Sequence, residues 1–187
     1  MVFGDDYVNW NPSAFPTYDW TDFYPDVIDE VPPNAPEPQG RPVQINAFVN
    51  ASHARNKLVH RSQTGILIYL NKSPIIWYSK TQKTIETSTF GSEFVALQIA
   101  TEMIKAMKYK LRMMGIPIEG AANVLVDNDT VMKNSTIPSS TLRGKHNSLC
   151  YHCVREAVAC QILRIAYIPS DENLADMFTK LLTTLPL

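Results

Sequence analysis

Cysteine and long apolar runs are scarce in this sequence, and each shortage excludes a class of protein. Three cysteines among 187 residues leave one unpaired in any disulfide scheme, which excludes a disulfide scaffold and favours a reducing compartment. No apolar run approaches the roughly 18 residues of a membrane-spanning helix. The start, Met1 to Asp6, lacks the basic and apolar regions of a signal peptide. The sequence therefore predicts an intracellular protein, cytoplasmic or nuclear, that is not secreted and binds no membrane.

Basic residues are absent from the first 40 positions, which carry eight acids and a net charge of −8. The rest of the chain holds all 17 Lys and Arg against ten acids, a net charge of +7. This segregation of charge favours a polyanion such as nucleic acid as the partner of the basic part. An ordinary solvated basic surface is the alternative.

Proline is concentrated in the acidic region, where eight of the 13 prolines lie before residue 43. The run from Val31 to Pro38 cannot form a helix, because proline lacks an N–H and fixes φ. Such a run indicates an extended linker. We therefore expect an acidic, proline-rich tether over 1–42 and one folded domain over 43–187.

Apolar patterns after residue 42 predict three strands, a long helix, a strand, two helices, a strand and a final helix. The strands are expected at 43–49, 64–70, 74–79, 123–127 and 163–168, and the helices at 88–114, 128–134, 146–160 and 171–182. Ser88 or Thr89 is suited to cap the long helix. The second and third strands form a hairpin. The order predicts an α/β fold with a five-stranded mixed sheet of hairpin and parallel strands, flanked by helices.

Three carboxylates lie where chemistry is expected in such a fold. Asp127 ends a strand, and carboxylates at strand ends of α/β sheets commonly face a ligand crevice. Asp127 is equally suited to cap the short helix that follows it. Glu93 lies one turn into the long helix, where an acid is favourable in any case. Asp176 lies within the predicted last helix, where an exposed position is the simplest interpretation.

Several short motifs follow one another between residues 43 and 182. They are Arg61–Gly65, Trp77–Lys80, Thr87–Leu97, Val126–Asn128, Lys145–His146, Tyr151–His152, Arg155–Glu156, Asn173–Asp176 and Thr179–Lys180. In sequence and order they resemble the RNase H domain of copia-type LTR retrotransposon polyproteins. The resemblance covers about three quarters of the chain, and residues 1–42 are similar to the segment that joins reverse transcriptase to RNase H.

The resemblance implies an RNase H-like fold and a nuclease that cuts the RNA strand of RNA–DNA hybrids. Glu93, Asp127 and Asp176 are then three of four catalytic acids that hold two Mg²⁺ ions, with Mn²⁺ as a substitute in vitro. The implied partners are the hybrid and the reverse transcriptase domain of the same polyprotein, and no small-molecule cofactor is implied. The expected nucleic-acid contacts are Arg55, Ser88, Asn128 and Lys145. Four bases near the end of the long helix either contact phosphates or simply suit a helix C-terminus: Lys105, Lys108, Lys110 and Arg112.

The fourth acid of the family is absent from this chain. The family's first strand ends in an Asp-Ala-Asp-x-Ala-Gly pattern, and this chain has Asn50-Ala51-Ser52-His53-Ala54-Arg55. The amide of Asn50 offers a carbonyl oxygen but no negative charge to bridge two dications. The sequence therefore predicts a folded RNase H-like domain whose metal site is weakened or inactive. A non-catalytic nucleic-acid-binding or structural module, or a decayed copy of the element, is the alternative.

Overall fold

Five strands form the sheet in the computed structural model, which describes residues 12–56, 61–86, 88–142 and 148–180. They are β1 (Ile45–Asn56), β2 (Arg61–Leu70), β3 (Ser73–Thr81), β4 (Ala122–Val126) and β5 (Leu163–Tyr167), in the spatial order β3-β2-β1-β4-β5. β1 pairs antiparallel with β2 and β2 with β3, whereas β1–β4 and β4–β5 are parallel. The predicted five-stranded mixed sheet is confirmed, with β1 at its centre.

Three helices cover one face of the sheet: α1 (Thr89–Met113), α2 (Asp129–Thr136) and α3 (Ser148–Ala159). The sequence explains α1 locally, because the Ser88 side chain accepts a hydrogen bond of 3.1 Å from the Gly91 N–H and so caps its first turn. Phe94, Leu97 and Ile104 are fully buried along the predicted apolar stripe. The stripe packs α1 against β1 and β2 and fixes where its first turn lies.

The central strand β1 is buried on both faces, as expected for a strand with neighbours on either side. Ala47 and Val49 belong to the core beneath the helices, while Phe48 packs into a smaller apolar cluster on the opposite face. Asn50 follows the side-chain alternation of Phe48 and is 8% exposed. We call the face that carries Phe48 the open face.

Residues 12–42, which we call the strap, begin with a short 3₁₀ turn over Pro12–Ala14 and then lie against the domain in extended and irregular conformation. Phe15 is buried in the open-face cluster, under the Arg164 guanidinium at 4.6 Å from its ring centroid. Trp20 is buried in the core on the helical face, with the Arg155 guanidinium 4.7 Å from its ring. Cation–π contacts of this kind attach the strap to both faces of the sheet. The division of the chain at residue 42 stays a prediction.

The last segment differs from its prediction. Instead of a helix over 171–182, the described part of the chain ends in a 3₁₀ turn over Leu174–Phe178. A Cβ added to Gly65 on β2 would lie 2.6 Å from the carbonyl oxygen of Ala175, so the turn packs onto the strand backbone itself. Within the described residues, no helix combines the length and the apolar character that crossing a membrane would need.

Candidate functional site

The sheet brings the four predicted site positions to one edge. β1 and β4 are parallel and pair Val49 with Val126, so that Asn50 and Asp127 follow side by side. Glu93 lies in the first turns of α1, which packs on β1. The 3₁₀ turn over Leu174–Phe178 contacts both β1 and β2 and carries Asp176 to the same edge.

Asn50 and Asp176 are directly bonded. The Asn50 Nδ2 donates to the Asp176 Oδ1 at 3.1 Å, although the two residues are 126 positions apart. The second carboxylate oxygen of Asp176 forms an ion pair with the Lys180 ammonium, which is largely exposed. Both carboxylate oxygens of Asp176 are therefore occupied by donors of this chain.

Glu93 is half-buried and interacts with the neighbouring acid. Burial raises the pKa of Glu93 to about 7. A hydrogen bond from Asn128 acts in the opposite direction, and the negative charge of Asp127 raises the pKa of Glu93 further. A carboxyl group with this pKa gains and loses its proton near neutral pH, whereas an ordinary glutamate is ionised there.

Asp127 interacts electrostatically with both of the other acids. Burial raises its pKa, and the negative charge of Asp176 adds to that rise, while hydrogen bonds from Ser170 and Asn173 lower it. The electrostatic interactions link Glu93 to Asp127 and Asp127 to Asp176. The four predicted positions thus lie together, and their catalytic and metal-binding roles stay predictions.

The donor set at this edge does not fit the pair of divalent ions that the family resemblance implies. Asn50 turns its N–H, which cannot ligate a cation, towards the Asp176 carboxylate. Among the described residues, no three His, Cys, Asp or Glu side chains converge closely enough to hold a metal ion. Hydrogen bonds and the Lys180 ammonium instead stabilise the carboxylates here.

Of the four expected nucleic-acid contacts, two are helix caps and two have side chains outside the described part of the chain. Ser88 caps α1, and Asn128 caps α2 by accepting from the Thr130 and Val131 N–H groups. The predicted alternative, that Asp127 caps α2, is wrong because its neighbour has this role. The Arg55 side chain and the whole of Lys145 lie outside the part of the chain that the structure describes.

Two of the four bases at the end of α1 bind the strap. Lys108 Nζ donates to Asp29 Oδ2 at 2.8 Å, and Arg112 forms a two-point contact with the same carboxylate at 2.9 and 2.5 Å. The Lys108 side chain is only 4% exposed. Both cations are therefore directed at Asp29 rather than at solvent.

Ser170 and Asn173 contact Asp127 but were not singled out as site residues from the sequence. In the sequence, Asn173 stands out only as part of the Asn173–Asp176 motif, and Ser170 belongs to no motif. The feature that points to Asn173 is its place three residues before Asp176, where an Asn caps a turn. Its contacts with β1 and β4 are long-range and leave no local pattern.

Comparison with known proteins adds sequence relatives. The chain matches no protein-family model. It is 27% identical over 142 residues to the retrovirus-related Pol polyprotein from transposon RE1 of Arabidopsis thaliana, which covers 76% of the chain. It is 32% identical over 139 residues, 73% of the chain, to the corresponding polyprotein from transposon TNT 1-94 of Nicotiana tabacum. The chain spans about a tenth of the length of these relatives (10% in each case).

Solved structures share the fold at low sequence identity. LC11-RNase H1 in complex with RNA/DNA hybrid superposes with a TM-score of 0.57 and 15% identity, over 72% of this chain and 93% of that one. RNase H1 from the archaeon Halobacterium salinarum gives a TM-score of 0.55 at 14% identity, over 72% and 93% of the two chains. The foamy viral protease-reverse transcriptase in complex with RNA/DNA hybrid gives 0.51 at 18% identity and covers 82% of this chain and 22% of its own.

The sequence relatives and the fold agree with the resemblance inferred from the motifs. The sequence relatives are Pol polyproteins of transposons, and the structural neighbours are RNase H enzymes and a reverse transcriptase. The chain is therefore an RNase H-like domain of the type found in retrovirus-related Pol polyproteins of retrotransposons.

Proposed function

We propose that this domain binds RNA–DNA hybrid and that its cleavage of the RNA strand is strongly weakened. The observation that carries the proposal is the hydrogen bond from Asn50 Nδ2 to Asp176 Oδ1. The family has an acid at position 50, where this chain presents an N–H donor and no negative charge. Mg²⁺, when bound at such an edge, supplies charge stabilisation for the leaving oxygen of a phosphodiester and activates water. Only three acids remain here to hold it.

The charge of the chain supports binding to nucleic acid. Residues 41–187 carry a net charge of +7, and phosphate contacts by Lys and Arg release counterions from nucleic acid. Two structural neighbours were solved with RNA/DNA hybrid. An A-form-like duplex is recognised through its shape and 2′-hydroxyl groups, which single-stranded or B-form DNA lacks. We therefore expect the domain to prefer hybrid over DNA duplex. The logarithm of its affinity should fall linearly with the logarithm of the salt concentration.

The site itself offers polar groups to a bound strand without a metal ion. Lys180 presents a largely exposed ammonium at the rim, beside Asp176. Ser88 and Asn128 cap α1 and α2 and lie where the positive end of a helix dipole favours anions. These groups bind or orient phosphates. None of them replaces the missing bridging carboxylate.

A restoration experiment tests the proposal. The whole chain and its Asn50→Asp variant are compared for Mg²⁺-dependent cleavage of a labelled hybrid. We expect the variant to cleave at least about 100-fold faster, because metal-assisted charge stabilisation supplies several kcal/mol and each 1.36 kcal/mol is tenfold in rate. Both proteins should bind the hybrid in EDTA with similar affinity.

Ser52→Asp is the matched control. It adds the same charge two residues away on the same face of β1, but its family counterpart is not the bridging acid. It should leave cleavage nearly unchanged. Rates of the chain and of Asn50→Asp within a factor of three at saturating Mg²⁺ would refute the weakened site. Absence of hybrid binding at low salt would refute the binding function.

An active RNase H is the second candidate function. It is favoured by the presence of Glu93, Asp127 and Asp176 at one edge, where these three acids would have to hold Mg²⁺ without a carboxylate at position 50. Under this alternative, the chain without substitution cleaves hybrid at a rate close to that of Asn50→Asp. For either function, we propose the reverse transcriptase domain of the same polyprotein as the protein partner. We propose Mg²⁺ as the divalent ion for any cleavage.

A further inference from the structure

Asn173 contacts three separate parts of the site. Its Nδ2 donates to the Val49 carbonyl oxygen on β1 at 3.0 Å, one residue before Asn50. Its side chain also forms a hydrogen bond with Asp127, which follows β4. Its own backbone oxygen accepts from the Asp176 N–H at 3.0 Å. Asn173, 4% exposed, therefore links the end of β1, the end of β4 and the turn that carries Asp176 through its side chain and its backbone.

The Asn173 side chain both donates and accepts hydrogen bonds at the site. A primary amide has two N–H donors and a carbonyl oxygen that can accept. The Nδ2 donates to the Val49 carbonyl oxygen, and the Oδ1 accepts from the Ala175 N–H at 3.0 Å and caps the 3₁₀ turn, while hydrogen bonding by Asn173 lowers the pKa of Asp127.

These bonds form a closed ring with Asn50. The ring runs from Asn50 to Asp176 through their side chains, from Asp176 to Asn173 through the backbone, and from Asn173 to Val49, the neighbour of Asn50. A ring of this kind fixes the separation of β1 from the turn without any ion between the carboxylates. The ring consists of groups from this chain alone.

We propose that Asn173 is the positioning residue of this site, which holds Asn50, Asp127 and Asp176 in register by hydrogen bonds. It does not touch substrate and is therefore not a catalytic residue. The inference rests on the site proposed above, and it adds a role that the sequence had not assigned. Side chains that support functional groups typically change activity by 10–100-fold when replaced.

Two substitutions separate positioning from capping. Asn173→Ser and Asn173→Asp both keep an oxygen that caps the 3₁₀ turn. Serine is too short to reach the Val49 carbonyl from the same backbone position, and aspartate has no N–H to donate. Asn134→Ser is the matched control, because the Asn134 Nδ2 also donates to a backbone carbonyl, that of Thr130 at 2.8 Å, but in an exposed hydrogen bond on α2.

The first measurement uses the whole chain without substitution at position 50 and without metal. The side-chain amide protons of Asn50 are followed by NMR, and their exchange with solvent should become at least about tenfold faster in both Asn173 variants. Asn134→Ser should leave them unchanged. Unchanged Asn50 exchange in the Asn173 variants would overturn the proposal, and so would a failure of both variants to fold, because the role would then be structural only.

The second measurement places Asn173→Ser in the Asn50→Asp background. We expect kcat for hybrid cleavage to fall at least about tenfold with KM within threefold, since the substitution displaces site groups and removes no phosphate contact. A rise in KM alone would overturn the positioning role. If Asn50→Asp itself restores no cleavage, the proposed function fails, and the NMR result still decides the role of Asn173.

Discussion

Asp29 on the strap is the residue whose replacement we expect to destabilise the domain most directly. Its carboxylate accepts from Lys108 and from both terminal nitrogens of Arg112. Asp29→Asn keeps the shape of the side chain but removes its charge. It replaces the charged partner of the Lys108 ammonium, which is 4% exposed, by a neutral amide and leaves the Ile162 carbonyl at 3.4 Å in place.

The size of the effect follows from burial. Removing one partner of a buried ion pair costs about 3–5 kcal/mol, because the other charge stays buried without compensation. The Asp29 and Arg112 side chains are 22% and 20% exposed, so water partly replaces their contacts and the lower end applies. We expect the free energy of unfolding to fall by about 3 kcal/mol. For a chain of this length the corresponding fall in Tm is about 6–12 °C.

Urea denaturation at neutral pH measures this loss, and Asp129→Asn is its control. Asp129 forms the same kind of pair with Lys133, four residues away on α2, but both side chains are more than half exposed. That substitution should cost at most about 1 kcal/mol, including the effect of the charge at the helix start. If Asp29→Asn loses no more stability than Asp129→Asn, the strap contact is an ordinary surface pair and our reasoning is wrong.

Acidic pH gives a second test of the same contact. Burial alone would raise the pKa of Asp29, but hydrogen bonds and the charges of Arg112 and Lys108 outweigh burial and lower it. The folded-state pKa of Asp29 lies below the unfolded value of about 4, so the contribution is complete above that value. It is lost as pH falls through the folded-state pKa. The stability difference between the chain and Asp29→Asn should therefore shrink below about pH 4, and a constant difference would contradict the assignment.

Two further substitutions test the packing and the electrostatics of the site. Gly65→Ala should lower the free energy of unfolding by about 1–3 kcal/mol, because its Cβ would lie 2.6 Å from the Ala175 backbone oxygen. Thermal denaturation measures this loss, and a full-length variant as stable as the parent would refute the close approach. Glu93→Gln should stabilise the domain by about 1–3 kcal/mol above pH 7. Burial holds the pKa of Glu93 at about 7 in the folded chain, whereas the unfolded chain releases this proton near pH 4.5. Ionising Glu93 above pH 7 therefore costs folding free energy that the glutamine does not lose. Stability of the parent should fall between those pH values and that of Glu93→Gln should not, so equal pH profiles would contradict the shift.

The sequence predicts the sheet and the long helix because their signals are local. The apolar stripe of α1, its cap at Ser88 and the hairpin turn before Ser73 each involve residues close in the chain. The order of elements then determines which edge receives Asp127 and Glu93. The presence of the three acids at one edge therefore follows from topology, before any contact between them is known.

The strap and the last segment are not predictable in this way. Composition indicates an extended acidic strap, but the partners of Asp29 lie 79 and 83 residues further along the chain. The segment from residue 171 has helical spacing, yet it ends as a 3₁₀ turn because its backbone packs against Gly65. Tertiary contacts of this kind override local preference and leave no period in the sequence.

Asn50 also bears on stability, and this leads to the last prediction. In the metal-free chain an aspartate at position 50 would place a second carboxylate beside Asp176, where Asn50 now donates a hydrogen bond. Like charges at this distance raise the pKa of one partner, and each unit is 1.36 kcal/mol. In EDTA, the free energy of unfolding of Asn50→Asp should therefore be about 1–3 kcal/mol lower than that of the parent chain. Mg²⁺ should restore the loss, because an ion that binds only the folded state stabilises it by mass action. The parent chain, with Asp176 already bonded to Asn50 and Lys180, should show little change in Tm on addition of Mg²⁺. Thermal shifts of equal size for both proteins would mean that residue 50 does not control metal binding, and the weakened site would then need another cause.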